Sequence, residues 1–251
     1  MAKNNLIAVH AFGEEVGRIG FDEHRNASFF QYRPDFFRGG RYATLFPFII
    51  RKVPRVQVYT RFSGDTFRGL PPVIADSLPD SFGNVIFKTW LESKHKEFSE
   101  ITVLEQLAYV GRRAMGALEY HPSKETKSSD TISINEMADV VGRVLKSKVE
   151  TRGPSLDHRS LLNIFKIGSS VGGARAKILV SEEKETGTII PGDVTTSEAY
   201  HHYLVKLDIE EDIPYSREQV EFAYYLTATA VGIDMMDSHM IDDKHFATLR
   251  Y

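Results

Sequence analysis

The 251-residue chain contains no cysteine. Disulfides, thiolate zinc sites and a cysteine nucleophile are therefore excluded, and a reducing cytosol is a comfortable setting. No apolar run approaches the roughly 18–20 residues that a membrane-spanning helix needs. The opening Met-Ala-Lys-Asn-Asn leads into a short apolar stretch broken by His10 and Glu14, which is not the pattern of a secretory leader. The expectation is a cytoplasmic protein with no membrane partner. There is no Gly-x-Ser-x-Gly elbow, no internal repeat and no low-complexity tract. A metal site is not expected either. His201 and His202 are adjacent and would point to opposite faces of a strand, and His239 and His245 share no helical or turn spacing.

What is present is ordinary in amount and uneven in placement. With 42% hydrophobic and 26% charged residues, the chain has the composition of a soluble globular protein with room for two small domains or one large one. Net charge is −3. Yet Arg33, Arg38, Arg41, Arg51, Lys52, Arg55, Arg61 and Arg68 face only Asp35 and Asp65 across their stretch, and residues 181–251 hold five basic against fifteen acidic groups. Scattered among apolar residues, the basic groups read as a solvated face. The sharper alternative is a patch for phosphate or an acidic partner.

Apolar runs at Leu6–Phe12 and Val16–Phe21, either side of Gly13-Glu14-Glu15, predict a hairpin, with further strands at Ala27–Tyr32 and Val56–Phe62. Asp80 and Ser81 can cap a helix over 82–95, and Ser99 another to Tyr109, stopped by Gly111. The polar stretch around 122–130 reads as a linker. Ser133 with Glu136, and Ser216 with Gln219, have the spacing of capping boxes. The second of these helices places Val220, Ala223, Tyr224 and Thr227 on one face and ends near Gly232.

The chemistry concentrates after residue 168. Gly-Ser-Ser-Val-Gly-Gly-Ala-Arg-Ala-Lys precedes an apolar run at Ile178-Leu179-Val180. Small residues let a backbone approach phosphate oxygens, and Arg175 and Lys177 supply positive charge. Gly168 and Gly173 have the gap of a Walker A loop, but Ala174 and Arg175 stand where Lys and Ser/Thr are required. Tyr203–Leu207 reads as a strand carrying Lys206. An ammonium within an apolar strand is costly to desolvate without an anionic partner. Ser216 then opens a helix carrying Glu221. Glycine turn, strand lysine and helix glutamate are the parts of a protein-kinase small lobe. Ser169 and Ser170 sit inside the turn, either as ordinary turn residues or as a phosphorylation site whose added charge would repel nucleotide phosphates.

Taken together, the motifs resemble those of the HipA family, the serine/threonine kinase toxins of bacterial toxin–antitoxin pairs. Leu78-Pro79-Asp80-Ser81 resembles the family's L-P-D-S motif, Val110–Leu118 its G-R-x-x-x-G-A segment, and Ser170–Lys177 its phosphate loop. Lys206 matches the nucleotide-binding lysine, Glu221 its paired glutamate, and Phe246–Tyr251 the hinge strand. The resemblance implies an α+β protein. A small β-rich N-terminal subdomain would span 1–121 and a linker 122–132. A kinase-like small lobe with an antiparallel sheet and an αC-type helix would span 133–251.

The resemblance further implies that Lys206, paired with Glu221, contacts ATP phosphates. Ser170, Val171, Gly172, Gly173, Ala174, Arg175 and Lys177 would cover those phosphates, and backbone near Leu249 to Tyr251 would meet adenine. Ser170, or Ser169, would be the autophosphorylated position that silences the kinase. The implied partners are a HipB-like antitoxin, with DNA reached only through it, and a catalytic lobe or split partner chain. Mg²⁺ would bind only with that lobe. These 251 residues hold no recognisable catalytic-loop carboxylate or metal-binding Asn and Asp, so the expectation is no phosphoryl transfer by this chain alone on proteins such as aminoacyl-tRNA synthetases. A missing lobe would leave an exposed apolar surface near Val231 to Tyr251. A non-catalytic interaction module, binding an antitoxin, a kinase partner or DNA through 33–68, is the alternative.

Overall fold

The computed structural model describes residues 6–39, 46, 48–114, 116–122, 131–147, 175–192, 197–209 and 213–250. The glycine turn with Ser169, Ser170, Val171, Gly172, Gly173 and Ala174 lies outside them, as do most of the expected linker and Tyr251. Among the described residues, two antiparallel sheets and six helices make a mixed α+β fold. The chain divides into two compact units, Met1–Pro79 with Glu97–Thr126, and Asp80–Lys96 with Lys127–Tyr251.

The first unit is built on β1 (Leu6–Ala11), β2 (Glu14–Asp22), β3 (Ala27–Tyr32), β4 (Gln57–Tyr59) and β5 (Leu118–His121), in the order β4-β3-β2-β1-β5. The first hairpin turns on Phe12-Gly13, one residue earlier than the sequence pattern placed it. Both residues have positive φ, 53° and 80°, which is what a two-residue turn between twisted strands requires. Glu14 and Glu15 consequently join the ladder opposite Ala11 and His10. Ile7, Val9, Ala11, Val16, Ile19, Phe30 and Tyr32 face a common core. The apolar run Val56–Phe62 yields only the three-residue β4. Val56 and Val58 are exposed, and Tyr59 alone of that short strand is buried.

Two short helices, α1 (Pro34–Gly39) and α2 (Pro72–Ala75), each open with proline, whose missing N–H costs nothing in a first turn. α3 (Ser81–Ser93) starts where expected, with Asp80 Oδ1 accepting from the Gly83 N–H at 2.8 Å. The cap of α4 (Val103–Val110) is a correction. Thr102 Oγ accepts from the Glu105 N–H at 3.2 Å, and the Glu105 carboxylate accepts from the Thr102 N–H at 3.1 Å. Ser99 sits instead in a one-turn 3-10 segment, Phe98–Glu100. Gly111, at φ 57°, ends α4 as read. α4 is buried along its whole length, and packs on β1 and β2.

The second unit holds α3, α5 (Ile134–Ser147), β6 (Lys177–Glu183), β7 (Ile189–Pro191), β8 (Tyr200–Lys206), α6 (Arg217–Ala230), β9 (Ser238–Ile241) and β10 (His245–Leu249). Its sheet runs β7-β6-β8-β10-β9, so the lysine-bearing β8 is central. α3 packs on α5 through faces that bury Ile86, Phe87, Trp90 and Leu91 on one helix and Met137, Val140, Val141 and Val144 on the other. β6 extends to Glu183, and its hairpin with β7 turns through residues 184–188, with Gly187 at φ 70°.

Val220, Ala223, Tyr224 and Thr227 share one face of α6 as read, and that face points to solvent, while Glu218, Glu221, Phe222 and Tyr225 face the fold. Its N-cap holds: Ser216 Oγ accepts from the Gln219 N–H at 3.3 Å. The box is not reciprocal, because the Gln219 side chain donates to the Asp243 carbonyl at 3.2 Å instead.

Candidate functional site

Alternation along β8 builds the site. Val205 is fully buried opposite Ile178, so Lys206 lies on the other face of the sheet. Its direct neighbours are Lys177 on β6 and Phe246 on β10. α6 crosses that same face, with Phe222 6.5 Å from the Phe246 ring. One turn of α6 then delivers Glu221 to the lysine.

Glu221 uses both carboxylate oxygens. Oε2 accepts from Lys206 Nζ, and Oε1 accepts from Arg175 Nη1 at 3.2 Å. The Lys206 ammonium also sits 5.8 Å from the centroid of the Phe246 ring, within cation–π range. The pair is partly open to solvent, at 28% and 27% side-chain exposure for Lys206 and Glu221, and Arg175 is 48% exposed. The sequence expectation that 206 and 221 face each other is met in the structure.

Lys177 completes a group of three cations around that carboxylate. Burial lowers its pKa below the ordinary lysine value. Asp80 raises it, Lys206 lowers it, Glu221 raises it and Arg175 lowers it, in decreasing order of influence. Arg175, Lys177 and Lys206 together offer the kind of donors that suit an anion with several oxygens. Glu218, one turn before Glu221, is 7% exposed. Burial pushes its carboxyl pKa up, its own backbone N–H lowers it, and Asp208 and Glu221 raise it.

At the far end of β10, the Leu249 N–H donates to the Asp237 carbonyl at 2.8 Å and the Arg250 N–H to the His202 carbonyl at 2.7 Å. Both donors are engaged within the fold. His202 is also tied by its ring, with Nδ1 2.8 Å from Ser181 Oγ across the β6–β8 ladder. No group of His, Asp and Glu among the described residues is placed to hold a metal ion.

Three residues matter more than the sequence pattern indicated. Asp80 was legible as a helix cap and as part of the Leu78-Pro79-Asp80-Ser81 motif. Glu218 carried no signal of its own in the sequence reading. His245 is almost wholly buried and knits the unit together: its Nδ1 accepts from the Asp208 N–H at 3.0 Å, and its Nε2 lies 3.0 Å from Asn135 Oδ1. Asn135 Nδ2 in turn donates to Asp242 Oδ2 at 2.7 Å. Asp242 and Asp243 both have positive φ, at 52° and 55°, and form the tight turn between β9 and β10.

From Tyr215 to Met236 a band of large apolar side chains is exposed. Tyr224 is 74% accessible and Val231 72%, with Leu226, Ile233, Met235 and Met236 beside them in sequence. The sequence reading expected exposure from Val231 to Tyr251; the band instead runs from α6 to Met236, and Phe246 and Ala247 are buried.

Comparison with known families agrees with both halves. The family's HipA N-terminal domain matches residues 7–121, and its HipA-like C-terminal domain matches residues 169–251. The chain belongs to the HipA family. No curated protein is matched. Membership implies a toxin–antitoxin setting. No described helix is long and apolar enough to cross a membrane.

Proposed function

We propose that this chain is the nucleotide-binding part of a HipA-type serine/threonine kinase, with the second unit acting as the upper jaw for ATP. The observation that carries it is the Lys206–Glu221 ion pair on a central strand and the following helix. In phosphoryl-transfer enzymes of the kinase type, that pair holds the lysine where it meets nucleotide phosphates. Arg175 and Lys177 add charge at the same place. ATP would supply the phosphoryl group. The chain's own contribution is to bind and orient the phosphates through Lys206, Lys177 and Arg175, with Glu221 fixing the lysine.

The second part of the proposal is that catalysis needs a further helical lobe bearing the base and the Mg²⁺ ligands. The apolar band at Tyr224, Leu226, Val231 and Ile233 supports this, since an exposed apolar patch of that kind marks a docking surface. A protein such as an aminoacyl-tRNA synthetase is the proposed substrate class, a HipB-like antitoxin the proposed partner, and DNA is reached only through it. Ser170 or Ser169 is the proposed autophosphorylation site.

Calorimetric titration with a non-hydrolysable ATP analogue tests the jaw. Binding should weaken by at least roughly tenfold in Lys206→Ala, the scale for losing a charge-assisted phosphate contact. If the wild-type chain binds no analogue, the interaction-module alternative is favoured.

A further inference from the structure

β4 is the outermost strand of the first unit's sheet, with β3 on one side and, among the described residues, no strand on the other. The register shows which of its backbone groups look outward. The Arg33 N–H donates to the Val16 carbonyl at 2.9 Å. The odd-numbered residues of β3 therefore bond to β2, and the even-numbered ones turn to β4. Phe30 with Gln57 and Ser28 with Tyr59 are then the bonded pairs of the β3–β4 ladder, while Phe29 with Val58 is the non-bonded pair. The Val58 N–H and C=O consequently point away from the sheet.

A cavity of about 510 Å³ is lined by β4 and the segments on either side of it, and Val58 is part of its wall. The charged groups of that wall are Arg51, Arg55 and Arg61, with no acid among the described residues. All three arginines are exposed, and none is ion-paired to a described carboxylate. Phe48, Val56 and Val58 add exposed apolar surface. The segment before the strand is held in place by Gln57, whose Oε1 accepts from the Arg51 N–H and whose Nε2 donates to the Arg51 carbonyl, both at 2.8 Å. Charge on a sheet edge often serves only to keep other strands away. Three cations around exposed valines do more than that, because they repel basic strands and attract acidic ones.

We infer that the free edge of β4 is a docking site for an extended acidic segment of a partner protein. The segment would add to the sheet as a further strand, with main-chain hydrogen bonds to Val58 and carboxylates on Arg51, Arg55 and Arg61. The site lies wholly in the first unit, and nothing in it depends on nucleotide binding by the second.

The test uses the whole chain and fluorescence anisotropy. The probe is a labelled decapeptide alternating Glu and Val. The comparators are a Lys-Val decapeptide, the Glu-Val peptide with all its central amides N-methylated, and a short DNA duplex. The expected result is saturable binding of the Glu-Val peptide and none of the Lys-Val peptide. The double variant Arg55→Glu, Arg61→Glu should weaken binding at least roughly tenfold and flatten its salt dependence. Val58→Pro removes an N–H that the ladder with β3 does not use, and should weaken binding roughly three- to tenfold, as should methylation of the peptide. If wild type does not bind the Glu-Val peptide, the proposal is overturned and the arginines only blunt the edge. Binding that survives both Val58→Pro and methylation also overturns it, since charge alone then accounts for the contact. Binding of the duplex but not the peptide, lost in the arginine variant, overturns it in favour of a phosphate-binding patch. Should Val58→Pro fail to fold, the methylated peptide on wild type decides.

Discussion

At the residue scale the decisive contacts join side chains that the sequence separates widely. Lys206 and Glu221 were legible because a lysine in an apolar strand demands an anion, and the next helix offers one. His245 was not, because a buried histidine has no spacing signature; it was visible only as a poor partner for His239. Its geometry has a measurable consequence. With Nδ1 accepting from the Asp208 N–H, the ring proton sits on Nε2 and is donated to Asn135, so the ring is neutral in the fold. Burial pushes its pKa below the ordinary 6.5; the Asp208 and Asp242 carboxylates raise it, Lys244 lowers it, and burial prevails. The unfolded chain therefore takes up the proton first. Stability should be fully present above about pH 6.5 and fall as pH drops through that value toward the lowered one. Urea unfolding between pH 5 and 8 should show this slope, and His245→Gln should flatten it. His202, lowered by burial and then by Arg250, contributes a remainder of the same sign.

At the scale of elements, helices and long strands could be read, and their exact turns and faces could not. The tip of the first hairpin and the start of α4 differ from the pattern, and the direction of the α6 face was not given by it. Local chemistry was ambiguous in each case. Ser99 and Thr102 are both good caps, and only Thr102 has Glu105 three residues on to answer it. Thr102→Ala should cost about 1 kcal/mol, whereas Ser99→Ala should stay within about 0.5 kcal/mol; chemical denaturation of the two variants settles which residue caps. Periodicity grouped the face of α6 correctly but left its direction open, because it marks a stripe without saying what covers it. Here the stripe looks outward, and the inner face is carried by Phe222, Tyr225 and the two acids Glu218 and Glu221. Short elements such as β5 and β9 left no signal, being four residues each.

At the scale of the whole molecule, motif order across the chain was the most informative signal, because each motif alone is weak and their sequence is not. It gave the family and the two sheets. It did not give the interleaving, in which α3 leaves the sequence of the first unit to pack on α5 of the second. The proposal that these residues form only the upper jaw has its own test. Radiolabelled ATP, Mg²⁺ and aminoacyl-tRNA synthetases mixed with this chain should yield no labelled protein above background, and adding a helical lobe with the catalytic base should restore labelling. Turnover by the chain alone would refute it. The excursion of α3 carries one more consequence, for how such a protein can be divided. A cut between its two family regions would strip the later piece of a helix that packs in its own core, so that piece expressed alone should unfold at a lower temperature than the whole chain.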